Sequence, residues 1–232
     1  RKFVESLIKE NIMPTLRHRT DYEVLPKETL DAWRQIPPPI VGDCMNRTNV
    51  MVGVIKPVKA GTILVGQART VKTMVGDNSA LHIAIGLLNP GEVIVADGGG
   101  FLDAAIWGGM MTRAAMSRGI AGVIIDGAIR DVAEIRDFDF PCFTRSISAA
   151  GPHKGFGGSL DGVISCGGSA VSPGDIVIGD DDGVAIVPLA RQAELYKASL
   201  EKIAQENQAN ADTAMGILPG SKLGLDEPRW ID

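Results

Sequence analysis

The sequence predicts an α/β fold: short apolar strands in layered sheets, with flanking N- and C-terminal helices. Three observations carry that expectation. "PGEVIVADGGG" (90–100) and "PGDIVIGDDDG" (173–183) match in register as a Pro-Gly turn, an acidic residue, three β-branched residues, a small residue, Asp and a closing Gly. A weaker copy, "AGTILVGQA", occupies 60–68. Runs of this kind lack polar alternation, which suits a sheet buried on both faces. Between the runs, apolar residues switch to helical spacing, as layers packed against such a sheet require. The chain also has 28 glycines and only 5% aromatic residues, a balance for tight turns between short strands.

In chain order, "RKFVESLIKENIM" reads as a short amphipathic helix with charges among its apolar positions, unlike the uninterrupted core of a signal peptide. It opens an N-terminal helical segment, 1–35. The chain starts at Arg1 without a Met, which leaves room for residues upstream. The main domain is expected over 36–190. Within it, "NSALHIAIGLL" (78–88) sets Leu81, Ile85 and Leu88 on one helix face. "AAIWGGMMTRAAMSRG" (104–119) does the same with Met111, Ala115 and Arg118 and ends on Gly119 as a C-terminal cap. "IAGVIID" (120–126) is another buried strand. Strand, Gly-rich loop, helix and strand from Val93 to Asp126 make a βαβ unit, so the two strands should be parallel and their carboxyl ends should carry the ligand-binding loops. From 188 to 211 the charges alternate along a surface helix, and the tail "GILPGSKLGLDEPRWID" is loop-like and suited to packing on a neighbouring subunit. Helix and tail form a C-terminal segment, 191–232.

Composition excludes several classes. The formal net charge is −5, with no dense Lys/Arg stripe and no aromatic platform, which argues against nucleic acid as a ligand. No apolar stretch is free enough of Gly and charge to span a membrane. Cys44, Cys142 and Cys166 are odd in number, far apart and form no C-x-x-C pair, which points to a reducing, cytoplasmic setting.

The chemistry is expected in "DGAIRDVAEIRDF" (126–138). Asp131 precedes a helical stretch and Glu134 lies where a capping box would be completed, so a plain cap accounts for both. It leaves Arg130 unexplained. An Arg fork matches a carboxylate or a 2-oxo acid, while an Asp offers the hard oxygen that Mg²⁺ or Mn²⁺ prefers. Adjacent Arg and Asp do not face each other on a helix, so the pair should serve different partners, with Glu134 one turn along the Asp131 face. Ahead of this, "WGGMM" (107–111) opens a helix whose free N–H groups suit a carboxylate, and Gly108 and Gly109 either admit that ligand closely or allow close packing of helix on sheet.

Together, "PGEVIVADGGG", "WGGMM", "GVIIDGAIRDVAEIRDFDFPCFTR" and "PGDIVIGDDDGVAIVP" resemble the family of class II 4-hydroxy-4-methyl-2-oxoglutarate and 4-carboxy-4-hydroxy-2-oxoadipate aldolases, which includes the regulator of ribonuclease activity A. The resemblance covers roughly residues 40–190. It implies a swivelling β/β/α domain assembled as a homotrimer or homohexamer with sites between subunits. It implies that Arg130 binds the pyruvyl carbonyl, that Asp131 ligates a divalent metal, that the Gly108, Gly109, Met110 and Met111 backbone holds the substrate carboxylate, and that Glu134 is the motif's outer acidic residue. Aldolases of this family often carry an acidic residue where this chain has Gly109. Asp97, Asp103, or a Glu of a neighbouring subunit's C-terminal helix such as Glu194 or Glu201, are the candidates to replace that acid, and the sequence does not choose among them.

The resemblance therefore implies a metal-dependent lyase that cleaves a 4-hydroxy-2-oxo dicarboxylic acid to pyruvate through an enolate, with oxaloacetate decarboxylation as a side activity. The rival is a non-catalytic protein that binds a ribonuclease. Other chemistry has less support: no one of Lys56, Lys59 and Lys72 is singled out as a Schiff-base lysine. "VADGGG" and "GFGGS" (155–159) miss nucleotide-loop spacing. Asp180, Asp181 and Asp182 read as a solvated turn, His18, His82 and His153 lack metal-ligand spacing, and Trp107 reads as a packing residue.

Overall fold

The computed structural model describes residues 13–224 and 228–231. The amphipathic helix expected at the N-terminus lies outside the described residues apart from Met13. From Met13 the chain is extended: β1 (Thr15–Arg17) is a strand within the segment expected to be helical. Then come α1 (Lys27–Trp33), α2 (Pro38–Cys44), β2 (Lys56–Pro57), β3 (Leu64–Thr73) and α3 (Ser79–Leu87). The central unit is β4 (Glu92–Trp107), α4 (Gly109–Ser117), β5 (Gly122–Ile129), α5 (Val132–Asp137) and β6 (Cys142–Ile147). Five short strands follow: β7 (Gly158–Leu160), β8 (Ile164–Cys166), β9 (Ser169–Val171), β10 (Ile176–Asp180) and β11 (Gly183–Val187). A long helix, α6 (Gln192–Ala214), closes the set, preceded by a 3₁₀ turn at Leu189–Arg191, so it starts later than the charge pattern suggested.

Four parallel strands in the order β3-β4-β5-β6 form the centre of a mixed sheet. Their β-branched runs are buried on both faces. On one face Ile94, Ala96, Val123, Ile125 and Ile129 pack under α3 and α4. On the other, Val93, Val95, Ile124 and Phe143 pack against β8–β9 and the β10–β11 hairpin. That hairpin's outer side, Ile176, Ile178, Ala185 and Val187, is covered by α1, α2 and α6. The layers are therefore helix, sheet, hairpin and helix, a mixed α/β architecture with flanking helices. Among the described residues no helix is long and apolar enough to cross a membrane.

Two expectations along the βαβ unit are corrected. Residues 98–104 are not a loop leading into a helix at 104. β4 continues to Trp107, pairing with β5 through register shifts after Asp97, Phe101 and Ala105. Buried Ala105, Ile106 and Trp107 hold this second half in the sheet. The helix then starts at Gly109, one turn of pattern later than read, because apolar residues at 104–107 serve a strand as well as a helix. Gly119, at φ +72°, follows the helix in the left-handed conformation that glycine tolerates.

Behind the sheet's N-terminal edge lies a buried charge cluster. Arg69 makes two bonds to Asp161, both 2.8 Å, and reaches Glu92 at 3.0 Å. Tyr22 donates to Glu92 at 2.7 Å, and Arg17 ties β1 to Asp161 at 2.6 Å. Burial and the adjacent Glu92 carboxylate raise the Tyr22 phenol well above its ordinary value.

Candidate active site

β4 and β5 end side by side, with Trp107 opposite Ile129. Each strand runs straight into a helix, so the starts of α4 and α5 are brought together. At the α5 start Asp131 takes a left-handed conformation, φ 59°, which non-glycine residues adopt at a cost. That turn corrects two readings. The Asp131 side chain makes no cap bond to its own helix; its Oδ2 accepts the Gly109 N–H at 3.0 Å. Arg130 and Asp131 do face each other, with Nε and Oδ2 3.6 Å apart, because Asp131 lies before the helix and not within it. Glu134 does not complete a capping box either; it forms an ion pair with Arg113 of α4.

The result is a cleft of about 120 Å³ lined by Gly108, Met110, Met111, Trp107, Arg130 and Asp131 at one end. Arg130 and Asp131 are half-exposed and so able to meet a ligand. Three glycines make the space. A Cβ on Gly108 would lie 2.7 Å from Asp131 Oδ2, one on Gly151 would lie 2.9 Å from Arg130 Nη1, and one on Gly109 would overlap the Glu134 carboxylate. The volume a side chain at 109 would claim is thus taken by the Glu134 carboxylate. Trp107 is buried and donates to Thr112 Oγ1 at 2.8 Å, so it packs as expected while its edge meets the cleft.

The other end of the cleft was not read from the sequence. Asn78, just before α3, and His82 within it, with Pro152 and Lys154 of the loop after β6, line it. Desolvation, with Lys154 adding to it and Asp77 opposing, holds the His82 imidazolium below its ordinary value, which favours the neutral ring. The only signal for these residues was the glycine-rich "GPHKGFGG" (151–158), whose partner α3 is some seventy residues away in sequence.

The substitute acids do not line the cleft within one chain. Asp97 accepts the Gly99 N–H, Asp103 lies on the exposed part of β4, and Glu194 and Glu201 pair with Arg191 and Lys197 on α6. Lys56 donates to the Asp182 carbonyl, and Asp181 accepts the Gly61 N–H, so the triple acid is a tied turn. His153 stacks edge-on against Phe156.

A layered α/β fold with an Arg-Asp pair and a glycine-opened helix start at adjacent strand ends defines the class. The chain belongs to the RraA-like (Aldolase/RraA) family, which it matches over residues 30–186. It is 35% identical over 188 residues to a protein of Halalkalibacterium halodurans named "Putative 4-hydroxy-4-methyl-2-oxoglutarate aldolase", covering 80% of this chain and 90% of that one. A Thermus thermophilus 4-hydroxy-4-methyl-2-oxoglutarate aldolase is 31% identical over 123 residues, 53% of this chain and 74% of its own. Among solved structures, an RNA-processing inhibitor, RraA, from Thermus superposes with a TM-score of 0.60 at 27% identity, over 65% of this chain and 92% of that one.

Proposed function

We propose that the chain is a divalent-metal-dependent lyase that cleaves a 4-hydroxy-2-oxo dicarboxylic acid of the 4-hydroxy-4-methyl-2-oxoglutarate type to pyruvate and also decarboxylates oxaloacetate. The observation that carries it is the convergence of Arg130, Asp131 and the start of α4 on one cleft. The aldolase names of the relatives support the carbon–carbon lyase class.

The donor set fits a hard ion that keeps most of its water. Asp131 offers one carboxylate, and no group of three or more His, Cys, Asp or Glu suited to a metal occurs among the described residues. Mg²⁺ and Mn²⁺ accept one or two carboxylates, with water and substrate oxygens completing the shell, whereas zinc sites use three or four protein ligands. Asp131 would hold the ion. When bound, it supplies Lewis-acid polarisation of the 2-oxo group.

The chain's own residues do the rest. The α4 N-terminus at Met110 and Met111 receives the substrate carboxylate, since first-turn N–H groups lack helical partners. Arg130 donates to the keto oxygen and stabilises the charge that gathers there as the C3–C4 bond breaks. In this reading Glu134, which lies over Gly109 and pairs with Arg113, takes the C4 hydroxyl proton through a water, releasing the second carbonyl product; the pyruvate enolate is then protonated at C3. Oxaloacetate reaches the same enolate by losing CO₂. Lys154 and His82 meet the remote carboxylate.

Exposed Phe101, Leu102, Met110 and Ile147 support burial of this end of the molecule in a homotrimer or homohexamer. The three cysteines are unpaired, which supports a reducing, cytoplasmic setting. The likeness to an RNA-processing inhibitor favours a second reading, a regulator that binds a ribonuclease. The test is turnover of oxaloacetate and 4-hydroxy-4-methyl-2-oxoglutarate with Mg²⁺ or Mn²⁺, with and without EDTA. Absence of metal-dependent turnover, or full activity in Asp131→Ala, sinks the enzyme reading.

A further inference from the structure

Two walls of the cleft meet at Asp77. This residue precedes α3 and is fully buried. Its Oδ1 accepts the Ser79 N–H at 2.8 Å, at the start of the helix that carries Asn78 and His82 into the cleft. Its Oδ2 accepts the Phe156 N–H at 3.2 Å, in the loop that carries Pro152 and Lys154. Three further bonds stitch the same segments: His153 N–H to the Gly76 carbonyl at 2.8 Å, Asn78 N–H to the His153 carbonyl at 3.3 Å, and Gly155 N–H to Ser79 Oγ at 2.7 Å. Met13 N–H reaches the Gly155 carbonyl at 2.8 Å from the other side.

A helix start alone needs no buried carboxylate, since Ser, Thr or Asn caps as well. Burying one is costly unless it is held by several donors. A carboxylate offers two oxygens, so each can hold one of two backbone segments. Between Gly151 and Gly157 the loop pairs only through an isolated parallel β-bridge, His153 with Asp77, and belongs to no strand, so its position depends on these bonds.

We infer that Asp77 is a positioning residue: it locks the loop of residues 151–157 to α3, and so sets Lys154 against His82 and determines which remote group a bound 2-oxo acid can carry. The inference rests on the proposed reading of the cleft and adds to it a residue that touches no substrate. Its effect should fall on the remote carboxylate and not on the pyruvyl end, where Arg130, Asp131 and α4 are held by β4 and β5.

The experiment compares the full chain with Asp77→Asn, Lys154→Met and the double variant. Steady-state kinetics with oxaloacetate are set beside exchange of the pyruvate methyl protons in D₂O, which needs only the pyruvyl end. Lys154→Met is expected to raise KM for oxaloacetate about tenfold or more with pyruvate exchange retained, and Asp77→Asn to shift KM the same way. The double variant should be no worse than Lys154→Met alone, because Asp77 acts through Lys154. Equal losses in both reactions for Asp77→Asn, or multiplying effects in the double variant, would overturn the inference.

Amide hydrogen exchange supplies a readout independent of activity. In Asp77→Asn the peptide spanning residues 151–157 should exchange faster while peptides from β3, β4 and β5 keep their protection; unchanged exchange in the loop overturns the inference. If the unsubstituted protein neither turns over oxaloacetate nor exchanges pyruvate, the proposed function fails and the exchange result alone decides the role of Asp77. Should Asp77→Asn not fold, Ser79→Ala removes one bond of the same clamp, and faster loop exchange is again the expected result.

Discussion

The carboxylate of Asp131, at the start of α5, accepts the N–H of Gly109, the first residue of α4, at 3.0 Å. One side chain therefore joins two helix starts that come from different strands. Because Asp131 is 40% exposed, its removal should cost little stability. Asp131→Ala is expected to lose metal-dependent turnover by a factor of roughly 100 or more, while unfolding free energy in urea changes by only about 1 kcal/mol. Parallel loss of both would mean that the side chain is structural.

Gly109 and Glu134 compete for one volume. In Gly109→Ala the new Cβ displaces the Glu134 carboxylate, the far end of a flexible chain held by the part-exposed Arg113, so the fold should tolerate it. The expected result is a fall in kcat of about tenfold with KM for oxaloacetate nearly unchanged, as loss of a proton-transfer group predicts. Gly151→Ala presses on Arg130 instead and should affect pyruvate exchange as well.

His82 gives a pH dependence with a defined sign. Desolvation, and then Lys154, hold its folded-state pKa below the unfolded value of about 6.5. The neutral ring thus contributes stability that is fully present above that value and is lost as pH falls through the folded-state pKa. His82→Gln should flatten the stability curve on the acid side of neutrality. An imidazole that titrates by NMR above the ordinary value would contradict this.

The three thiols should react in a fixed order. Burial pushes Cys142 up to about 12 and raises Cys166 well above its ordinary value, with the Asp126 and Asp97 carboxylates adding in the second case. Cys44 is only half-buried. A disulfide reagent at mildly alkaline pH should therefore modify Cys44 first in the native protein, and Cys142 and Cys166 only after denaturation.

Arg69 neutralises two buried carboxylates at once. Arg69→Met leaves buried Glu92 without a cation and Asp161 with Arg17 alone, which should cost about 3–5 kcal/mol. At roughly 2–4 °C per kcal/mol for a chain of this size, thermal unfolding should shift down by about 6–20 °C. A shift below 2 °C would show the cluster to be energetically neutral.

Much of the fold was legible because its signals are local. Three apolar β-branched runs behind Pro-Gly or Ala-Gly turns became β3, β4 and β10, and helical spacing at 78–88 became α3. The same locality misplaced the start of α4, since Ala104, Ala105, Ile106 and Trp107 fit either period and only pairing with β5 decides for strand. Arg130, Asp131 and residues 108–111 stood out in the sequence because a helix cap leaves Arg130 unexplained and a double glycine opens the preceding helix, and they line one cleft apart from Gly109. Asn78, His82 and Lys154 were not, for each is ordinary in its own segment.

The sequence by itself determined the buried parallel sheet, its layers, and the Arg-Asp pair at a strand end, since periodicity and turn chemistry act over a few residues. The tertiary structure alone decided that Asp131 bonds to Gly109 and not to its own helix, that Glu134 fills the space over that glycine, and that α3 meets the 151–157 loop to finish the cleft. Those relations depend on strand order and on one left-handed residue, which act across distances that no local pattern records.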